Sequence, residues 1–182
     1  MRPIYFSTSN EKKFEDVKQF FIGSRNPPRL LWQEISEVLS GDLDQVIRRK
    51  ALEAYKRAQV RLFVEHGGLY IDYLKKLPGP LVRPFWEVLK GDICKVIPAK
   101  ASRRAHVVQK VCYCDGEQLQ VFEGVIEGTI APRSKGQGIH WEPVFIPEGH
   151  SKTLGQMTLD EKLACSASAQ AYAQLRRALR IR

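Results

Sequence analysis

The fold is decided by the start of the chain, where Ile4-Tyr5-Phe6 is followed by Thr8-Ser9-Asn10-Glu11-Lys12-Lys13. The apolar run predicts a β-strand, and the polar run predicts the start of an amphipathic helix over about residues 10–22. Backbone N–H groups at a helix start carry partial positive charge and a nearby ammonium adds a full one, so this turn suits a polyphosphate. Taken alone, the segment favours a simpler interpretation, with Ser9 or Asn10 as a plain helix cap.

The elements that follow continue a βαβ pattern. A strand is predicted over residues 29–34, and residues 43–65 have apolar positions at helical spacing with basic residues on the opposite face. Gly67-Gly68 is expected to stop this long helix, and residues 69–71 to form a short buried strand.

The second half of the chain predicts further strands and helices. Residues 80–89 predict a helix, and residues 104–125 predict two strands joined at Asp115-Gly116, a strong hairpin signal. Residues 144–146 predict another strand, and the region from residue 158 onward a helix. The mix indicates an α/β protein with a mixed central sheet flanked by helices, in two lobes with a cleft between them. A chain of 182 residues, 1–182, is expected to form a single domain.

Composition limits the partners and the location. The formal net charge of +9 favours anionic partners, but the basic residues are dispersed, so nucleic-acid binding is not expected. No apolar stretch is long enough to cross a bilayer and no secretory signal pattern opens the chain, so a cytoplasmic location is expected. The cysteines lack zinc-site spacing and are expected to be reduced thiols, packed in the protein.

Five short motifs occur in order along the chain. They are Thr8-Ser9-Asn10-Glu11-Lys12-Lys13, Gly68-Leu69-Tyr70-Ile71-Asp72 with Leu77-Pro78-Gly79-Pro80, Glu127-Gly128-Thr129-Ile130-Ala131-Pro132-Arg133, Trp141-Glu142-Pro143-Val144-Phe145, and Met157-Thr158-Leu159-Asp160-Glu161-Lys162. Together they resemble the inosine triphosphate pyrophosphatase (ITPase) family across nearly the whole chain. Members of that family hydrolyse non-standard purine nucleoside triphosphates such as ITP, dITP and XTP to monophosphate and pyrophosphate with Mg²⁺, and are generally homodimers. The resemblance implies an ITPase-like fold and a purine nucleoside triphosphate ligand.

The chain departs from the family pattern at two places. Where the family has Asp-Asp-Ser-Gly, with the second Asp as general base and metal contact, this chain has Glu65-His66-Gly67-Gly68. The family's Ser-His-Arg triplet over the purine is replaced by Ser166-Ala167-Ser168, and its Phe-Gly-Trp-Asp loop by Ile139-His140-Trp141-Glu142. We therefore expect the phosphate contacts to be kept, and the hydrolytic and base contacts to be altered.

The resemblance implies a triphosphate site with hydroxyl, amide and ammonium donors, which suit phosphate oxygens. Its residues are Thr8, Ser9, Asn10, Lys13 and Lys50, with Gly67 of the altered motif as a further substrate contact. Lys50 depends mostly on the resemblance, because a lysine on a helix surface is usually only solvated.

The candidate catalytic residues are His66 and Glu65. Hydrolysis by the family's scheme needs a carboxylate to hold the metal and activate a water, and imidazole is a poorer Mg²⁺ ligand. A neutral His66 can still accept a proton, and Glu65 can turn inward. Alternatively, His66 caps or lines the helix end beside Gly67. We therefore expect that the chain has lost the family's ordinary hydrolytic activity rather than kept it.

Glu37 is the predicted Mg²⁺ ligand, since it lies near the family's metal-binding glutamate and a carboxylate suits Mg²⁺. Asp42 or Asp44 is an alternative ligand. Any of the three can instead cap the helix that begins near Leu43.

The predicted base contacts are Trp141, Glu142, Lys162 and Ser168. Trp141 is suited to stacking on a purine, although a core tryptophan is an equal possibility. Lys162 matches a substrate-contacting lysine of the family. Without the family's His-Arg pair, base specificity is either relaxed or supplied by His140, Gln137 or Ser168.

Three functions are open at this point. The first is a catalytically impaired sensor or regulatory subunit that binds dITP or ITP and acts on a partner effector, similar to ITPase-like subunits of bacterial antiphage systems. The second is an active Mg²⁺-dependent pyrophosphatase that uses His66 or Glu65. The third is a scaffold with a vestigial pocket. The chain is expected to form a homodimer or a hetero-oligomer with an effector.

Overall fold

The computed structural model describes residues 3–181, which form a mixed α/β fold with a seven-stranded central sheet flanked by helices. This architecture confirms the fold class predicted from the sequence. The strands are β1 (Tyr5–Thr8), β2 (Arg29–Trp32), β3 (Leu62–Ile71), β4 (Pro78–Gly79), β5 (Arg104–Cys114), β6 (Leu119–Ile130) and β7 (Phe145–Pro147). The helices are α1 (Glu11–Phe20), α2 (Leu43–Ala58), α3 (Val82–Leu89), α4 (Leu159–Cys165) and α5 (Ala167–Ala178).

The strand order in the sheet is β2-β1-β3-β5-β6-β7, and β4 pairs with β3. β1 is parallel to both neighbours, with Phe6 opposite Leu30 of β2 and Phe63 of β3. β4 is antiparallel to β3, and β7 is antiparallel to β6. The parallel part is the βαβ beginning expected from the sequence, and β5 and β6 are sheet neighbours on either side of the predicted Asp115-Gly116 turn.

The described residues divide into two compact units. The first unit comprises residues 3–66, 109–124 and 168–181, and the second comprises residues 67–108 and 125–167.

The first unit is held together by two apolar clusters. In one, Val17 of α1 and Phe21, which caps the end of α1, pack with Phe6, Phe63 and Tyr172, so the predicted apolar stripe of α1 is confirmed. The second cluster joins apolar residues of α2 to β3 and β5: Ile47, Ala51, Ala54, Leu62, Val64, Cys112 and Cys114. Both of these cysteines are buried free thiols that pack in this cluster.

The second unit has its own core, which includes Leu69 and Ile71 of β3, Ile130 of β6 and Phe145 of β7. Arg103 reinforces it by donating hydrogen bonds to backbone carbonyl oxygens, including that of Ile130 at 2.6 Å. Within the described residues, no helix is both long enough and apolar enough to cross a membrane.

The prediction of a helix over residues 43–65 is wrong after Ala58. α2 ends at Ala58, where Gln59 adopts a left-handed backbone (φ 52°) and its N–H bonds the carbonyl of Tyr55 at 2.8 Å. Residues 62–71 then form one continuous strand. Its residues are buried almost throughout, and a strand covered on both faces lacks the alternation that distinguishes strands from helices. His66 therefore lies within β3 and does not cap a helix.

The helical region after residue 158 is divided in two. Ser166 has an extended backbone (φ −86°, ψ 150°), so α4 ends at Cys165 and α5 begins at Ala167. Thr158 caps α4 in a reciprocal arrangement with Glu161, which fixes its start.

Candidate functional site

The turn between β1 and α1 is built as a helix cap. Lys13 N–H donates to the Asn10 side-chain oxygen at 3.2 Å, and Asn10 N–H donates to the Thr8 hydroxyl oxygen at 3.1 Å. Asn10 is therefore the cap, and Ser9 is exposed beside it. A hydroxyl and a carboxamide that accept bonds in this way still carry O–H and N–H donors, the polarity that a phosphate requires. The cap and an anion-binding role are thus compatible.

The side chain of Lys13 forms an ion pair with Glu65 of β3. Lys13 Nζ lies 2.9 Å from Glu65 Oε1, and the side chains are 18% and 5% exposed. The other carboxylate oxygen of Glu65 accepts a hydrogen bond from the Tyr172 hydroxyl of α5. Both oxygens of Glu65 are therefore engaged, one by a cation and one by a neutral donor.

A second set of contacts centres on Glu37, which lies between β2 and α2. Its Oε1 accepts a hydrogen bond from Lys50 Nζ at 2.5 Å and lies 3.2 Å from His66 Nδ1. Lys50 also donates to the backbone carbonyl of Glu65 at 3.0 Å. Lys50 is thus turned inward from α2 and is not simply solvated, with a side-chain exposure of 15%.

We call these residues the buried charged cluster: Lys13, Glu37, Lys50, Glu65 and His66, with Tyr172. All of them belong to the first unit. Five of the six were predicted from the sequence as site residues, and the structure brings those five together. Tyr172 was expected only as an apolar position of the last helix, and no local signal marks its hydroxyl as a partner of Glu65.

The two carboxylates of the cluster are held in the charged form. Burial raises the pKa of Glu65, but the Lys13 ammonium and the Tyr172 hydroxyl lower it by more, so it lies below its usual value. Burial likewise raises the pKa of Glu37, and His66 and Lys50 lower it well below the usual range.

The two lysines respond in opposite directions. Burial lowers the pKa of Lys13, but the Glu65 carboxylate raises it by more, so the net change is upward. For Lys50, burial and the nearby Lys13 charge outweigh the attraction of Glu37, so the net change is downward. Lys13 is therefore the more firmly protonated of the two ammonium groups.

The alternative metal ligands have structural partners. Asp42 caps α2, with its side chain accepting from Asp44 N–H at 2.8 Å. The Asp44 carboxylate pairs with Arg48 at 2.5 Å and with Lys110 at 3.0 Å. Of the three acidic residues, Asp42 is the cap and Glu37 is the one in the buried charged cluster.

The side chains around Glu37 do not fit a protein-held Mg²⁺. Mg²⁺ prefers oxygen ligands in near-ideal octahedral geometry, whereas the groups on Glu37 Oε1 are an ammonium and an imidazole. Among the described residues, no three His, Cys, Asp or Glu side chains are grouped so that they could hold a metal ion.

The predicted base contacts Trp141, Glu142 and Lys162 lie in the second unit. Glu142 accepts a hydrogen bond from Ile139 N–H at 2.8 Å and pairs with Lys162 Nζ at 3.1 Å, both side chains being 14% exposed. Trp141 is half-buried and packs against the core of its unit.

The two remaining predicted contacts belong to strand β3 and helix α5. Gly67 is buried in β3. Ser168 is half-buried in the first turn of α5, and it belongs to the first unit.

The fold and the cluster together define a mixed α/β protein with an amide- and lysine-lined turn at the end of a parallel strand. The Ham1 family profile matches residues 4–178, so the chain belongs to the Ham1 family. The chain is 32% identical to a dITP/XTP pyrophosphatase of Saccharolobus solfataricus over 170 residues, 92% of this chain and 88% of the relative. It is also 32% identical to a dITP/XTP pyrophosphatase of Hyperthermus butylicus, over 98% of this chain and 95% of the relative.

The structure of a HAM1 protein from Coxiella burnetii has the same fold. It is 21% identical, superposes with a TM-score of 0.83, and the match covers 98% of each chain. The resemblance to the ITPase type of protein, stated from the five motifs, is confirmed at the level of the family.

Proposed function

We propose that the chain binds non-canonical purine nucleoside triphosphates such as dITP and hydrolyses them slowly or not at all, and that it acts as a sensor or regulatory subunit on a partner effector. The observation that carries this proposal is the contact of His66 with Glu37 at 3.2 Å, at the position where the motif resemblance places the family's base. The relatives named dITP/XTP pyrophosphatases support the nucleotide class.

The triphosphate contacts are proposed to come from Lys13 and Lys50, with Thr8, Ser9 and Asn10 at the start of α1. Two ammonium groups and a capped helix N-terminus supply the positive potential that a polyphosphate needs. For the purine, the proposed contacts are Trp141, Glu142, Lys162 and Ser168, and Gly67 is proposed as a further substrate contact.

Slow hydrolysis is expected at Glu65, one of the two candidate bases, because of its low pKa and its contacts. A general base is most effective when its pKa lies near the working pH, and the pKa of Glu65 is shifted the other way, below its usual value. Glu65 is also held by Lys13 and Tyr172, so accepting a proton would remove the charge that pairs with Lys13 and weaken the hydrogen bond from Tyr172. Activating a water at this carboxylate is therefore unfavourable.

A ligand that is bound but not consumed can shift a conformational or assembly equilibrium by its differential affinity for two states. A sensor of this kind needs a partner that reads the bound state. We propose an effector protein in that role, in a hetero-oligomer or with a homodimer of this chain, and the whole chain as one functional domain.

An active pyrophosphatase is the second candidate, and the contact between His66 and Glu37 favours it. A carboxylate beside Nδ1 can orient an imidazole and fix its tautomer, so that the other nitrogen is the one that accepts a proton. This candidate predicts release of dIMP and pyrophosphate from dITP, and loss of that activity in His66→Ala.

The test is calorimetric titration of dITP in the presence of Mg²⁺, with dATP and dGTP as controls, followed by analysis of the recovered nucleotide. Binding with intact dITP recovered is the expected result. Recovery of dIMP and pyrophosphate at rates ordinary for the family would refute the sensor and support the enzyme. Absence of heat with every nucleotide would refute both and leave a scaffold with a vestigial pocket.

A further inference from the structure

We infer, building on the proposed function, that this chain binds its nucleotide triphosphate without a divalent cation, because Lys50 and His66 take the place of the metal beside Glu37. The side chains that surround Glu37 do not fit the Mg²⁺ ion that the family resemblance implies.

Two nitrogen groups already occupy the space at Glu37 Oε1. Lys50 Nζ is 2.5 Å from this oxygen, and His66 Nδ1 is 3.2 Å from it. A Mg²⁺ ion bound to the same oxygen would need a distance of about 2.1 Å and room for an octahedron of oxygen ligands. It would therefore have to displace the ammonium.

The Lys50 ammonium is held by two hydrogen-bond acceptors. Lys50 Nζ donates to two acceptors, Glu37 Oε1 and the Glu65 carbonyl, and its side chain is 15% exposed. The two acceptors hold this ammonium in place, although burial and the nearby Lys13 charge lower its pKa. Lys50 thus supplies the positive charge that a metal ion would supply to phosphate oxygens.

The net charge of the buried charged cluster also disfavours a divalent cation. The buried charged cluster has two lysines and two carboxylates, with His66 where the family has a further carboxylate. The site is therefore more positive than the family pattern by at least one charge. That difference disfavours a divalent cation and favours the fully ionised triphosphate, whose charge Mg²⁺ would otherwise partly neutralise.

The test is calorimetric titration of the unaltered protein with dITP at matched ionic strength, once with excess Mg²⁺ and once with excess EDTA. Inorganic triphosphate is titrated in parallel to isolate the phosphate contribution. The dissociation constant in EDTA is expected to equal that in Mg²⁺ within about threefold, or to be lower. A constant raised more than about threefold in EDTA would overturn the inference and leave the proposed function intact. Absence of binding in both buffers would remove the proposed function, and this inference with it.

A gain-of-function variant gives an independent readout. His66→Asp restores a carboxylate beside Glu37, so Mg²⁺ should tighten dITP binding about tenfold or more and should by itself raise the melting temperature. His150→Asp makes the same change at an exposed position and should show neither effect. If His66→Asp also binds equally well in Mg²⁺ and EDTA, position 66 does not determine metal use and the inference fails. If the variant does not fold, the titration of the unaltered protein decides alone.

Discussion

Replacing Tyr172 with phenylalanine removes one hydroxyl from the buried charged cluster and leaves an aromatic ring in its place. The Tyr172 side chain is almost fully buried, and its ring lies 5.4 Å from that of Phe20 and 6.3 Å from that of Phe21. These apolar contacts are kept by phenylalanine, so the change isolates the hydrogen bond to Glu65.

The expected loss in the free energy of unfolding is about 2 kcal/mol, because hydrogen bonds to charged groups contribute about 1.5–3 kcal/mol. For a chain of this length, that loss corresponds to a fall in melting temperature of about 4–8 °C. Urea unfolding at neutral pH, followed by circular dichroism, measures the loss in the free energy of unfolding. Tyr73→Phe is the matched control, because Tyr73 is 44% exposed and its change should stay within about 0.5 kcal/mol. Equal losses in the two variants would refute the reasoning.

A double-mutant cycle then tests whether the partner is the charged carboxylate. In a Glu65→Gln background the acceptor is a neutral amide, so Tyr172→Phe should cost about 1 kcal/mol less than in the unaltered protein. Strictly additive losses would mean that the hydroxyl and the carboxylate do not stabilise each other.

Three further predictions concern the same region. Lys13→Ala should weaken dITP binding about ten- to a hundredfold in calorimetry, whereas the exposed neighbour Lys12→Ala should have little effect. Burial raises the pKa of Glu65 but its partners lower it by more, so its stabilisation is complete above the ordinary glutamate pKa of about 4.3 and is lost as pH falls below it. Urea unfolding at a series of acid pH values should thus show a smaller acid loss in Glu65→Gln than in the unaltered protein. Asn10→Ala should cost about 1 kcal/mol in urea unfolding, because it removes the cap of α1.

Local patterns predicted the elements that have one buried face. The stripe of α1 and the β5–β6 hairpin signal each depend on residues close in sequence, and both are confirmed. β3 was assigned in part to a helix because its residues are buried almost throughout, so its pattern carries no alternation. The break at Ser166 was missed because a single residue with an extended backbone leaves the apolar spacing of the flanking helices nearly unchanged.

The cluster was predictable in its members and not in its pairings. Resemblance to the family identified Lys13, Glu37, Lys50, Glu65 and His66, and each pairing joins segments that are distant along the chain. The contact between the last helix and Glu65 spans 107 residues, a separation at which neither spacing nor charge pattern carries information. Tertiary structure alone reveals that Glu65 is a partner of Lys13.

By the motif resemblance, His66 stands where the family has a carboxylate with two functions, and we propose that this replacement affects both. It removes an oxygen ligand that Mg²⁺ prefers, and it places an imidazole 3.2 Å from the remaining glutamate, Glu37. Neither effect touches the ion pair of Lys13 or the cap at Asn10, which belong to the proposed triphosphate contacts. Binding and hydrolysis can therefore be separated at this one residue, because the groups that would attract the phosphates and the groups that would activate water are different side chains of the same cluster.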